Sequence, residues 1–258
     1  MFLARPLFVR APVLLLAFLA LGVSARADKI EELTAIHLEA IGGRERVEAL
    51  AALRATGVVI AGGRQMEFTL VAARPDRIRL ETQQGGRTLV QGSDGREAPW
   101  EFDTGSWPPR YRDMAAATAR TFVADAEFDD PLVTGANRGF TLEYGGEVQS
   151  DGRTLHRILV TRRLVDTYSV FLDADTFLIV RRVEPRKNTL GSAVQVVTHF
   201  ADYRPVAGVL VAHRISVVVD GQTTQQTTID AIVPNPATDA ETFSRPRAVS
   251  VPQKKKRR

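Results

Sequence analysis

The sequence predicts a mainly β protein of the α+β type, with one large antiparallel sheet covered by helices. Three observations predict it. Apolar residues recur with period two through two long stretches of the chain. Gly-rich or Asp-Gly turns cut those stretches into short runs, spaced by roughly 10–13 residues in the second half, which suits a sandwich or barrel rather than βαβ units. Two other segments carry helical spacing and are available to cover the apolar face that such a sheet must bury.

The elements follow in order. Met1–Ala27 combines Arg5 and Arg10, the apolar stretch Ala11–Gly22 and the small-x-small triplet Ala25-Arg26-Ala27. That is the charged, apolar and cleavage-site order of a secretory signal peptide, and the apolar stretch is shorter than the about 20 residues of a spanning helix. The expected organisation is a leader over 1–27, one domain over 28–250 and a basic tail over 251–258. Asp28–Leu53 reads as an amphipathic helix through Ile30, Leu33, Ile36 or His37, and Ala40 or Ile41, broken at Gly42-Gly43 and resumed with Val47 and Leu50. The period then changes to two. Arg54–Ala61, Arg64–Ala73, Arg77–Gln83, Arg87–Gln91 and Arg96–Asp103 read as a five-stranded meander. Tyr111–Glu127 is Ala-rich with a helical stripe through Tyr111, Thr118 and Phe122, and Asp129-Asp130-Pro131 stops it. Seven more strands fill Phe140–Val233, about twelve in all.

Composition excludes several chemistries. The chain has no cysteine, so it forms no disulfide, thiolate metal site or cysteine nucleophile, and it lacks the cysteine that bacterial lipoproteins acylate. The net charge of +4 comes from the ends. Setting aside the three leader arginines and Lys254–Arg258 leaves 26 basic against 30 acidic residues. A nucleic-acid partner is therefore not expected, because that needs a basic face on the folded domain.

At this point the residues resemble a family. Ala72-Ala73-Arg74-Pro75-Asp76-Arg77-Ile78-Arg79, then Ser93-Asp94-Gly95-Arg96 and Trp100-Glu101-Phe102, resemble the periplasmic outer-membrane lipoprotein carrier LolA and its relatives. Pro236–Pro246 is similar to the family's closing segment, and Tyr203–Val209 with Val211–Arg214 to a hairpin of its larger members. The resemblance implies an unclosed antiparallel β half-barrel, with helices acting as a lid over an apolar cavity that accepts acyl chains. It implies that Arg74, beside Pro75, latches the lid through hydrogen bonds to helical backbone carbonyls. A guanidinium suits that role, having several donors in a fixed fork and a permanent charge. The long second-half hairpins and the Arg-rich segment Arg181–Lys187 depart from the shorter carrier.

The residues expected around the cavity are Met66, Phe68, Leu70, Ile78, Leu80, Trp100, Phe102 and Phe122; a closed core built from the same stripe is the alternative. The expected function is a soluble periplasmic carrier for acyl chains of a lipoprotein or another envelope lipid, exchanging cargo with a membrane-anchored donor or acceptor protein. The alternative is an envelope sensor or scaffold with a filled lumen that binds a protein. No cofactor, metal or catalytic residue is expected. His199 and His213 would face each other across a hairpin centred near Val206, but zinc would want a third ligand. Asp129-Asp130 and Asp173/Asp175 sit where Asp bonds local backbone. Gln91–Gly95 lacks the spacing of a nucleophile elbow, and no phosphate-binding glycine loop is present.

Overall fold

The computed structural model describes residues 13–106, 109–125, 127–134, 138–162, 166–187 and 191–246. The expected basic tail and the start of the expected leader lie outside the described residues. The helices are α1 (Val13–Ala40), α2 (Arg44–Ala49), α3 (Ala116–Asp125), α4 (Pro131–Thr134) and α5 (Ala240–Phe243). The first group of strands is β1 (Ala52–Ala61), β2 (Arg64–Ala73), β3 (Arg77–Gln84), β4 (Arg87–Ser93), β5 (Trp100–Asp103) and β6 (Tyr111–Asp113). The second is β7 (Thr141–Ser150), β8 (Arg153–Arg162), β9 (Asp166–Asp173), β10 (Ile179–Lys187), β11 (Ala193–Val206), β12 (Val209–Val219) and β13 (Gln222–Pro234). Among the described residues, no helix is long and apolar enough to cross a membrane.

All 13 strands form one sheet, ordered β6-β5-β4-β3-β2-β1-β13-β12-β11-β10-β9-β8-β7, and every pairing is antiparallel. Two meanders thus meet at the β1–β13 pair. The free edges, β6 and β7, are consecutive in sequence. The chain between them has to cross from one edge to the other, and it carries α3 and α4. The sheet is thus an unclosed half-barrel with β6 and β7 as its free edges, and α3 and α4 lie on the connection between them.

Helices cover the concave face. Leu33 of α1 and Leu132 of α4 pack with Ile158, Val160, Val170 and Leu172 of β8 and β9. Leu38 and Ile41 pack with Val47, Leu50 and Val209. Gly42 lets α1 pass the β11–β12 turn: it takes φ 131°, and a Cβ there would lie 2.3 Å from the Gly208 carbonyl oxygen. On the convex face, Phe243 of α5 is fully buried with Ala52, Val71 and Ala73. Asp239 caps α5 by accepting from the Thr242 N–H at 2.8 Å.

The expected helix over Tyr111–Glu127 begins later than its stripe suggests. Tyr111 belongs to β6, opposite Phe102 in the ladder, and the helix starts at Ala116. Aromatic pairing across strands, at 4.6 Å between the two ring centroids, outweighs the helical period there. The expected strand Arg96–Asp103 shortens to Trp100–Asp103, because the Asp94 carboxylate accepts from the Arg96 and Glu97 N–H groups and holds a turn. The first helical segment breaks as expected at Gly42-Gly43 but yields to β1 at Ala52. α1 itself runs unbroken from Val13, inside the expected leader, to Ala40.

Candidate functional site

The candidate site is the space between the concave face and its helical cover. Leu53 and Ala55 of β1, Leu70 of β2, and Ile215, Ile229 and Ile232 of β12 and β13 supply one wall. Val170, Ile179 and Phe200 supply another, and Ile41, Val47, Leu50 and Phe128 close the top. The volume of this partly open cavity is about 350 Å³, within the range of small-ligand pockets, about 300–1,000 Å³. Strand alternation makes the wall apolar: Leu70 faces Ala55 and Leu80 in the ladder, and Val170 faces Ile158.

Two polar constellations fasten the cover. Arg74, at the end of β2, donates from Nε and Nη2 to the two carboxylate oxygens of Asp129 at 2.7 and 2.6 Å. The same guanidinium donates to the backbone carbonyls of Val47 (2.6 Å) and Glu48 (3.1 Å) in the last turns of α2, and it lies 5.1 Å from the Phe128 ring centroid. One side chain therefore ties the sheet to α2, whose terminal carbonyls lack helical partners, and to the segment before α4. The second constellation centres on His37 of α1, which is 2% exposed. Its Nδ1 contacts the Phe177 carbonyl at 2.7 Å and its Nε2 contacts Asp130 Oδ2 at 3.1 Å. Both partners are acceptors, so both ring nitrogens carry protons and the ring is an imidazolium.

The electrostatics agree. Burial pulls the His37 pKa down, but the Asp130 charge and the two hydrogen bonds outweigh it and leave it above 6.5. Burial likewise pushes Asp130 up, while His37 and the Leu132 and Val133 N–H groups outweigh it and leave it below 3.8. Burial, then the Asp130 charge, pushes the Tyr203 hydroxyl far up; it stays protonated and donates to the Ile179 carbonyl.

The structure distributes the expected cavity residues unevenly. Leu70 lines the cavity. Met66, Phe68 and Leu80 pack with it around Ala55, Val59 and Ile229, beside the cavity. Ile78 is buried on the same face, opposite Ala72. Trp100 and Phe102 lie on the convex face instead. Trp100 pairs with Gly92, Gly92 with Arg79 and Arg79 with Val71, one residue out of step with Leu70. A Cβ on Gly92 would meet the indole at 2.4 Å, so the ring lies flat on the strand, where its Nε1 donates to the Phe243 carbonyl at 3.0 Å. Phe122 is half-buried on α3, whose contribution to the cavity wall is Ala124. His199 faces Ser216 rather than His213.

Sequence reasoning missed His37, Asp129 and Asp130. Asp129-Asp130-Pro131 was legible as a helix boundary, and Asp130 does accept from the Leu132 N–H at 2.8 Å. Nothing local ties residue 129 to residue 74, or 130 to 37.

An open antiparallel half-barrel with a helix-covered apolar cavity is the architecture of a LolA-like fold. Solved structures similar to this fold include a domain named for outer membrane lipoprotein sorting from Vibrio parahaemolyticus (TM-score 0.57, 12% identity, 83% of this chain and 97% of that one); a DUF1329 family protein from Desulfovibrio piger (0.57, 10%, 83% and 97%); and a LolA superfamily protein from Nitrosomonas europaea (0.50, 9%, 78% and 95%). The chain has this LolA-like fold. No protein-family model and no curated protein matches its sequence significantly.

Proposed function

We propose that this protein is an exported carrier that holds acyl chains of a lipoprotein or another envelope lipid in the cavity of its half-barrel. The observation that carries the reading is an apolar space of about 350 Å³ beneath a cover made of helices and short connecting segments. Burying about ten methylenes there supplies on the order of 8 kcal/mol, of which at least about 4 kcal/mol offsets lost translational and rotational freedom. The cover is a lid and Arg74 is its latch: the same guanidinium holds α2 and Asp129, so releasing it frees both. Periplasmic residence is proposed from Met1–Ala27, which reads as a signal peptide. Cargo then passes to or from a membrane-anchored donor or acceptor, and no reaction chemistry is assigned. The open cavity favours this over a scaffold with a filled lumen.

Lipid extraction of protein purified from its native envelope, read by mass spectrometry, tests the proposal. A carrier brings near-stoichiometric acylated material. Protein that brings none, yet retains a protein partner in pull-downs, overturns it in favour of the scaffold.

A further inference from the structure

The outer face of the second meander carries two parallel rows. A register shift between Ile179 and Arg181 in β10 changes the phase of the strand. Ile179 and Arg182 therefore both face the cavity, while Arg181 turns to the convex side and stacks on Phe171 at 4.1 Å. The ladder extends this rung in both directions: Arg157 pairs with Phe171, Phe171 with Arg181, Arg181 with His199 and His199 with Ser216. The next outward rung is Leu159, Ser169, Val183, Val197 and Val218. Its leucine and valines are half-buried. A cationic row and an apolar row thus run side by side across β8–β12, about 7 Å apart and about 19 Å long by strand geometry.

The cations of this face are not neutralised within the chain. Arg157 donates to Ser169 Oγ at 3.1 Å and Arg181 Nη1 to Ser150 Oγ at 3.1 Å. Arg181 Nε has no hydrogen-bond partner among the described residues. Lys187 and Arg214, at outward positions of β10 and β12, are exposed. Among the described residues, none of these four is paired with a carboxylate. The carboxylates around them are engaged or solvated. Asp173 is buried, lies 3.6 Å from Arg153 and accepts from the Asp175 and Thr176 N–H groups. Asp202, whose charge reaches Arg214, pairs with Arg204 through both oxygens. Asp151, whose charge reaches Arg181 and His199, is exposed. Burial, then the Arg181 charge, pulls His199 below 6.5 against the Asp151 charge, so at neutral pH the arginines and Lys187 carry the positive charge. The first meander has the opposite sign outside: Glu67, Glu81 and Asp230 border one depression there.

We propose that the outer face of β8–β12 docks on the surface of an anionic phospholipid bilayer, with its arginines and Lys187 on the phosphate heads and its apolar row in the interfacial layer. Phosphate heads lie just outside the acyl region of a bilayer, the same order as an arginine row beside a valine row. A guanidinium on a long stem reaches a phosphate with two donors while shorter apolar side chains enter the interface. Each cation near an anionic surface adds an attraction that salt screens. The acidic outer face of the first meander is repelled, which fixes the side of the half-barrel that meets the membrane. The inference stands independently of what the cavity holds.

The test is flotation of the full mature chain with phosphatidylcholine vesicles, with and without phosphatidylglycerol. The chain floats with the phosphatidylglycerol vesicles only, and high salt weakens binding at least tenfold. Arg157→Gln/Arg181→Gln/Arg214→Gln lowers the affinity at least tenfold. Lys187→Gln/Arg214→Gln, confined to exposed positions, lowers it at least threefold with an unchanged melting temperature. Because the chain has no cysteine, Val197→Cys and Gln65→Cys each accept one polarity-sensitive dye, on the outer faces of β11 and β2. Emission from position 197 shifts to the blue on vesicles, and emission from position 65 does not. A wild type that floats with neither vesicle, wild-type affinity in both multiple variants, or equal shifts at the two dyes overturns the proposal. Loss of binding only when Lys254–Arg258 are replaced by glutamine overturns it in favour of the basic tail. Binding of polyglutamate without binding of vesicles overturns it in favour of an acidic protein partner.

Discussion

Arg74 and Asp129, 55 residues apart in sequence, meet in a two-pronged pair with both contacts at or below 2.7 Å. The pair sits 24% and 10% exposed, half-withdrawn from water. It joins the end of β2 to the segment before α4, which His37 also holds through Asp130. Arg74→Leu removes the pair together with the bonds to Val47 and Glu48, at a cost of about 1.5–3 kcal/mol. Amide exchange in α2 and around Asp129 accelerates, and bound acyl cargo is lost faster. Arg74→Lys keeps the charge but not the fork, and falls between. Unchanged exchange and cargo retention in Arg74→Leu reject the latch.

The His37–Asp130 pair gives the cover a pH optimum. A histidine whose folded pKa is raised stabilises fully below its unfolded value of 6.5 and loses that contribution as pH climbs through the folded pKa. An aspartate whose folded pKa is lowered contributes above 3.8 and loses it as pH falls through the folded pKa. Both contribute together between 3.8 and 6.5. Melting temperature measured across pH is highest in that interval and declines on the alkaline side, and His37→Gln flattens the alkaline decline. A decline of the same size in the variant rejects the pair as its source.

Acid reaches another part of the sheet last. The Arg87 hydrogen bonds hold Asp103 at about 2; burial opposes them, and the Gly105 N–H and the Arg87 and Arg112 charges assist. Its contribution is present above 3.8 and is lost only as pH falls through about 2. Carbon-detected NMR titration of the Asp103 carboxyl checks this; a midpoint near 3.8 contradicts it.

Gly57 sits at a bulge in the strand pair that joins the two meanders. A Cβ there would lie 2.0 Å from the Thr228 carbonyl oxygen and 3.0 Å from the Phe68 ring. Gly57→Ala forces the central pair apart and destabilises by about 1–3 kcal/mol in chemical denaturation. Gly62→Ala, in a tight turn with open space around its Cβ position, serves as the comparison for purely backbone effects. Equal cost at the two sites contradicts a packing origin.

The meander pattern was legible because each strand announces itself locally. Arg64–Ala73 and Val209–Val219 match their predicted bounds, since period-two alternation and Gly turns are properties of adjacent residues. The cavity was legible only in part, because its wall is assembled by register. Whether Trp100 shares a face with Leu70 depends on the sum of three ladder alignments, and those placed it on the convex side. The second meander supplies Val170, Ile179 and Phe200 to the cavity, yet no feature of those strands distinguishes them from ordinary core. The Arg-rich segment stood out in sequence, but its inward phase comes from a bulge that composition does not announce.

The most direct test of the account is native mass spectrometry of the delipidated protein titrated with hexadecanoate, alongside Val211→Trp, which places an indole at a half-buried position of the cavity wall. The wild type binds one chain per protein, and the variant binds at least tenfold more weakly. An absent adduct, or one that Val211→Trp leaves untouched, would contradict a hydrocarbon site inside the half-barrel.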